Sequence, residues 1–394
     1  MELSDEKESQ KQSDIQEAIE REWDIPNFTM KEIREAIPAH CFHRDTFRSF
    51  TYLFNDLFIM STLIYGASYI HTIPTAAIHI ALWPLYWFAQ GTIAVGLWFI
   101  AHECNHLAFS SSKIISHSIG LMVHSALLVP YYSFGITHSK HHKGNGHMTK
   151  DTNHVPLTRS QGGFPKRELD PAGKDGHNNM FDETPVVMFL HMALVLTFGM
   201  PSYILFNMSG QDYSTDKNNK STWISHFNPY CPLFKEKDFW QVAHSVMGVS
   251  MMVGILIWIG QQWGLLAVIK FYMVPYMVMN IWIILITYLQ HVHPDMPHYR
   301  GNVWNFQRGA ALTVDRSYGP IVNYIQHHSG DTHVVHHFFS TIPHYHAVEA
   351  TKHIKKVLGK YYFFDDTPIL TAFHKSWKQC RFVEDEGDVV FYKN

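Results

Sequence analysis

The chain of 394 residues carries little charge, and what it carries nearly cancels. Thirty-one Lys and Arg against 34 Asp and Glu leave a net charge of -3. Without a basic excess, nucleic acid is excluded as a natural partner. Cysteine is scarce: Cys41, Cys104, Cys231 and Cys380 are scattered with no C-x-x-C pair. Free thiols, and no disulfide framework, are expected. The N-terminal string MELSDEKESQKQSDIQEAIEREWD lacks an apolar core and is rich in acids. Neither a cleaved signal peptide nor an organelle transit peptide is expected there. Charge is also nearly missing from four long stretches, 49–70, 75–101, 241–260 and 263–290. Each approaches the ~20 apolar residues that cross a bilayer as a helix. The mean hydropathy of -0.12 is compatible with this, because the remainder is polar.

These stretches set the expected architecture. It is an all-α membrane protein with four transmembrane helices in two hairpins, interfacial helices, and a His-rich helical cap. Residues 1–27 are expected to be a disordered polar N-terminus, and 28–394 a single membrane domain. Thr29 and Glu32 form a capping box for a short amphipathic helix that Pro38 ends, expected on the membrane surface. HTIP joins the first hairpin and QQWG the second. The loops near 71–74 and 260–264 hold no Lys or Arg, and Lys270 is the one basic residue on that side. The positive-inside rule then places both termini and the cap in the cytosol. Sequons at Asn27, Asn207 and Asn219 would face the cytosol and stay unused.

Histidine is the outlier, with 29 copies. Residues 102–106 read HECNH, the H-E-x-x-H pattern in which a zinc protease holds its metal with two histidines and uses the glutamate as base. Two further boxes follow, HSKHH at 138–142 and HVVHH at 333–337. On a helix, positions i, i+3 and i+4 share a face. His102 and His106, then His138, His141 and His142, then His333, His336 and His337 would each point one way. Eight imidazoles exceed one zinc and suit two ions of five or six coordination. His291, at the end of the fourth span in TYLQHVHP, is placed to be a ninth ligand; His293 lies on the other side of the chain. The carboxylate bundle pattern of soluble di-iron proteins is absent. For boxes to share one site, an even number of spans must separate them. Residues 114–132 must therefore re-enter or lie in the interface. Of the three apolar stretches before His291, 241–260 and 263–290 cross, and 185–207 lies flat or buried.

The boxes, with their order and separations, resemble those of the membrane-bound fatty acid desaturase superfamily. KEIREAIPAHCF, HSKHHKGNGHMTKD, SGQDY, TYLQHVHPDMPHYR, WNFQRGA, TVDRSYG, STIPHYHAVEATKHIKKVLGKYY and VEDEGDVVFYK resemble its methyl-end branch, the Δ12 and ω3 acyl-lipid desaturases of fungal type. The resemblance covers nearly the whole chain from about residue 27. It implies two iron ions held by the eight box histidines, with His291 as the additional ligand. It also implies O2 as co-substrate, phospholipid-bound acyl chains as substrate, and the endoplasmic reticulum membrane as location. Electrons would come from cytochrome b5 with its NADH-dependent reductase; no HPGG haem-binding stretch occurs, so cytochrome b5 is expected as a separate protein. Homo- or hetero-oligomers are compatible with it. In box one, Asn105 stands where the branch has glycine and places a polar side chain beside the ligands. Glu103, Asp151 and Asp331 are candidates to hold the outer ring N–H groups, against simple solvation or capping. Arg308 and Arg316 are candidates for a lipid headgroup, against surface ion pairs.

Within the branch, HMTKD and SGQDY favour Δ12 desaturation of oleoyl to linoleoyl chains. HHSGDTH and the C-terminal segment resemble ω3 enzymes at least as much, so a Δ15 or bifunctional enzyme is the alternative. Hydroxylation or conjugation by the same oxidant stays open. From another class, an intramembrane zinc protease would need one zinc and Glu103 as base.

Overall fold

The computed structural model describes residues 23–164, 184–213, 221 and 223–394. Thr29 and Glu32 form the expected capping box at the start of α1, Met30–Ala36. A 3-10 turn at Ala39–Phe42 leads to α2, Thr46–Ser68, whose first turn is capped by Asp45. α3 runs over Ala76–Asn105, α4 over Lys113–Ala126, α5 over Tyr131–Gly144 and α6 over Pro185–Phe206. α7, Phe239–Trp263, turns at Gly264 into α8, Leu265–His291. Short helices follow: α9 Phe306–Ala310, α10 Pro320–Ile325, α11 His333–Phe338, α12 His344–Leu358 and α13 Ile369–Gln379. Among the described residues, strand forms two small pairs, Pro297–Tyr299 antiparallel to Val389–Phe391, and Val314–Asp315 parallel to Phe363–Phe364.

Five of these helices are long and apolar enough to cross a membrane: Thr46–Thr72, Ala76–Asn105, Pro185–Phe206, Glu236–Trp263 and Leu265–His291. Four match the expected spans. The fifth is α6, expected to lie flat. At ~1.5 Å per residue, the 30-residue α3 is about 45 Å long. That exceeds the ~30 Å hydrocarbon layer, so α3 is longer than a bilayer crossing needs. α4 and α5 meet at 106° across Leu127–Pro130. This sharp bend lies between box one and box two.

The span contacts follow membrane rules. With no water to satisfy a freed carbonyl, another side chain must do so. In α8 the helix widens to a π-turn over Ile269–Met273. Pro275 has no N–H to offer the Phe271 carbonyl. The Tyr86 hydroxyl donates to it at 3.3 Å, and the Trp87 indole donates to the Lys270 carbonyl at 2.9 Å. The Lys270 ammonium sits 4.8 Å over the Trp83 ring, which shelters the one basic group at this end. At Gly91 α3 and α8 approach closely: a Cβ there would lie 2.5 Å from Val278 and 2.7 Å from the Pro275 carbonyl.

The cap has its own core. Ile33, Ile37 and Cys41 pack against Ala347, Ala350 and Ile354 of α12, so α1 covers one side of α12. Of the polar N-terminus, residues 1–22 lie outside the described residues. Trp23 is packed among Tyr361, Phe363 and Phe391 and donates to the Tyr299 hydroxyl at 2.8 Å. The four cysteines are free thiols. Asn207 is buried as the left-handed cap of α6, with its side-chain nitrogen on the Gln211 carbonyl; Asn219 lies outside the described residues.

The Gly91 contact can be tested. Gly91→Val should destabilise the protein by ~1–3 kcal/mol through overpacking, read as a lower thermal midpoint in detergent. Gly66→Ala, with nothing near its would-be Cβ, should leave the midpoint unchanged. Equal midpoints for wild type and Gly91→Val would refute the close approach.

Candidate metal centre

Four chain segments end at one point. α3 delivers His102 and His106, α5 delivers His138, His141 and His142, α8 delivers His291, and α11 delivers His333, His336 and His337. Their donor atoms form two groups. His102, His106, His138, His142 and His336 offer nitrogens that all lie within 4.8 Å of one another, as do His141, His291 and His337. His333 joins the second group, its Nε2 2.9 Å from that of His291. All nine predicted histidines are therefore brought together. His293 is not among them; its ring faces Asp295 and Asp365 at 3.8 and 3.7 Å.

The nitrogen spacings suit metal ligation. His102 to His138 is 2.6 Å, His142 to His138 2.9 Å and His141 to His291 3.3 Å, all between Nε2 atoms. Two nitrogens ~2.1 Å from one ion at right angles lie ~3 Å apart. The Nε2 atoms of His336 and His337 are buried without a hydrogen-bond partner among the described residues. Burial, then the neighbouring rings, pushes His138, His142, His333, His336 and His337 well below the usual histidine range. Neutral imidazole is the form that binds a metal. The donor set thus fits two ions, one on each group.

Acids steady the rings and the elements that bear them. Asp151 takes the Nδ1 proton of His141 at 2.7 Å, with both side chains buried. Burial works to raise its carboxyl, but the His141 ring and the Asn153 N–H hold it down at about 2. Fixing the outer nitrogen of a ligand sets its tautomer and aim. The other candidate acids act elsewhere. Glu103 turns away from the rings and accepts from the backbone N–H and ring Nδ1 of His344, at 2.6 and 2.7 Å, anchoring the first residue of α12. Asp331 holds His328 and Asn323. Asn105 reaches α5, donating to the Tyr131 carbonyl at 3.3 Å and filling the space that Gly135 leaves open; it does not crowd the rings.

The headgroup candidates are corrected. Arg316 is 1% exposed and pairs with Asp365 and the Thr367 carbonyl. Arg308 is spent on the Pro26 and Val303 carbonyls. Both are held by fixed acceptors within the cap; Arg316 is buried and Arg308 half-buried.

Two residues near the rings were missed. Asp315 accepts from the Val334 N–H at 2.8 Å and from Tyr362 at 2.6 Å, so it caps the box-three helix. The string TVDRSYG contains it, but an acid that caps a helix 19 residues later leaves no local pattern. His154 stacks on His291 with centroids 4.6 Å apart and planes at 12°. Nothing in TNHVP marks it as different from the other scattered histidines.

The rings open onto a cavity of about 420 Å³. Val95, Trp98, Phe99, Phe134, Met200, Ile283 and Ile286 make its walls apolar, and His102, His138, His141, His291 and His333 form one end. A long apolar ligand, with no polar group at its reactive part, is what such a space accepts.

Comparison with known proteins agrees with this chemistry. A family model described as fatty acid desaturase matches residues 81–367, and one described as a domain of unknown function matches residues 1–64. The chain is 47% identical over 379 residues to Delta(12) fatty acid desaturases of Mortierella isabellina and Mortierella alpina, covering 95% of this chain and 93% of each relative. It is 42% identical over 376 residues to a Delta(12)-oleate desaturase of Trichosanthes kirilowii, covering 93% of this chain and 96% of that one.

The Asp151–His141 pair yields a prediction. Asp151→Asn should weaken metal retention by ~10–100-fold, measured by competition with a graded series of chelators. Unchanged retention would remove Asp151 from the site.

Proposed function

The chain belongs to the fatty acid desaturase family, and on that premise we propose that it is an O2-dependent acyl-lipid desaturase that converts oleoyl to linoleoyl chains by introducing a cis Δ12 (ω6) double bond. The observation that carries this is the apolar cavity lined by five of the nine clustered histidines. Two iron ions, when bound, supply with O2 an oxidant able to take hydrogens from adjacent methylenes.

The chain's own residues do the rest. A saturated C–H bond offers no polar handle, so holding it in place is the main contribution the protein makes. Trp98, Phe99 and Phe134 line the cavity beside the rings and keep water from competing with the acyl chain. Asp151 aims His141. Glu103 is committed to His344, which leaves no base positioned for the hydrolysis that the HECNH pattern alone suggested.

The membrane arrangement we propose has four spans, α2, α3, α7 and α8, with both termini and the cap in the cytosol and the endoplasmic reticulum as the membrane. Two contacts support leaving α6 uncrossed. Near its start, His191 meets Trp377 of α13 with ring centroids 5.1 Å apart. Near its end, the Tyr203 hydroxyl bonds Asn153 at 2.9 Å and Thr137 at 3.4 Å. Trp377 adjoins Tyr288, a turn before His291, and Thr137 adjoins His138. A helix with both ends at the level of the boxes runs along that level. Electrons would reach the rings from the cap side, by docking of cytochrome b5 reduced by its NADH-dependent reductase.

Expression in yeast that makes oleate but no linoleate tests the reading. A new linoleate peak is expected in the fatty-acid profile, and His336→Ala should reduce it to background. Conversion of supplied linoleate to α-linolenate, with oleate untouched, would overturn Δ12 in favour of ω3.

A further inference from the structure

A second cluster of side chains of metal-ligating type lies in the cap, and shares no residue with the nine histidines. His346 and Glu349 stand at i and i+3 on α12 and so share a face. The 3-10 turn at Ala39–Phe42 lays His40 and Cys41 against that face. One donor atom from each of the four lies within 4.8 Å of all the others. His40 Nε2 is 2.9 Å from the Glu349 carboxylate, and the Cys41 sulfur is 3.7 Å from His40 Nε2. The rings of His40 and His346 are 5.6 Å apart, edge to face.

The bland reading is an exposed histidine–glutamate hydrogen bond beside a cysteine that fills the core. Two features go beyond it. The donor types are two imidazoles, a thiol and a carboxylate. With the thiol deprotonated, their two negative charges balance a divalent ion. Four ligands ~2.0–2.3 Å from one ion in a tetrahedron lie ~3.3–3.8 Å apart, so closing the observed set needs shifts of about an ångström. The burial also suits entry. Cys41 is fully buried, whereas His40 and Glu349 are 57% and 46% exposed, leaving an open side through which an ion can arrive. Burial, with Glu349 beside it, pushes the unliganded thiol up to about 11; a cation between them would reverse that repulsion, and the thiol proton would leave to solvent.

We propose that His40, Cys41, His346 and Glu349 form a second metal site that takes a zinc-class divalent ion and pins the segment before α2 onto α12. Thiolate with tetrahedral nitrogen and oxygen donors selects zinc over the iron that suits the all-imidazole centre. The consequence for the fold is direct, because α12 starts at His344, which Glu103 of box one grips. An ion here would hold that helix at both faces. The inference stands whether or not the acyl-chain reading holds.

The test uses the purified full-length protein in detergent. Metal analysis after exposure to zinc and removal of loose ions should find one zinc per chain beyond the iron. Replacing that zinc with cobalt should give a thiolate-to-cobalt charge-transfer band and the intense visible bands of a tetrahedral ion. Cys41→Ser should lose the charge-transfer band and at least tenfold in zinc affinity, with iron content unchanged. Glu349→Gln, at the exposed edge and so easily accommodated, should lose at least tenfold in zinc affinity. The absence of a charge-transfer band in cobalt-loaded wild type overturns the site without recourse to any variant. Persistence of the band in Cys41→Ser also overturns it, since the thiolate would then be another, such as Cys104.

Discussion

Nine imidazoles, packed nitrogen to nitrogen and, save the half-buried His106, withdrawn from water, are the constraint on which the rest of this structure depends. A buried polar atom without a partner costs on the order of 1–3 kcal/mol, and neutral rings cannot satisfy each other fully, because two facing nitrogens share at most one proton. His336 and His337 show the deficit directly, with Nε2 atoms that meet no acceptor or donor among the described residues. The cluster therefore does not stabilise itself in the absence of ions. It is held by its frame. Asp151 fixes one ring, Asp315 caps the helix of the third box, and Glu103 ties the first box to α12. Each is an acid, and none occupies the centre.

That frame dictates the path of the chain. Box one lies at the end of α3, His291 at the end of α8, and these two helices pack side by side. The Trp282 indole donates to Thr92 at 3.0 Å across the pair, so both helices deliver histidine to the same height. Box two cannot arrive by another span without ending on the wrong side. The 106° reversal between α4 and α5 solves this: it takes the chain away from box one and returns it within 32 residues of sequence. The left-handed backbone at Leu128 and the N–H-free Pro130 at the start of α5 make the turn.

What the sequence made legible is what repeats or stays local. Box spacing needs only helical periodicity, the hairpins need only long uncharged runs, and the Thr29–Glu32 cap is complete within four residues. What stayed hidden depends on partners far along the chain. Glu103 looked like a base or an outer ligand because its acceptor role involves His344, 241 residues away. Arg316 looked available because Asp365, which binds it, is 49 residues on. Asn105 looked like a perturbation of the metal because no sequence pattern reveals that Gly135 leaves room for it. Side-chain type and spacing say what a residue can do; only packing says which of several partners it meets.

The two faces of the cluster are not equivalent, and this asymmetry links structure to reaction. His102 and His138 of the larger group, and His141, His291 and His333 of the smaller, line the apolar cavity. His106, His142, His336 and His337 do not. The cavity thus meets rings of both groups on one side, so an acyl chain lying in it would pass both proposed ions rather than abut one. Since the reacting methylenes carry no feature of their own, which pair is oxidised must be set by how far the chain slides along these walls before it is stopped. Selectivity is then a property of the apolar end of the cavity, between α3, α6 and α8, and not of the histidines.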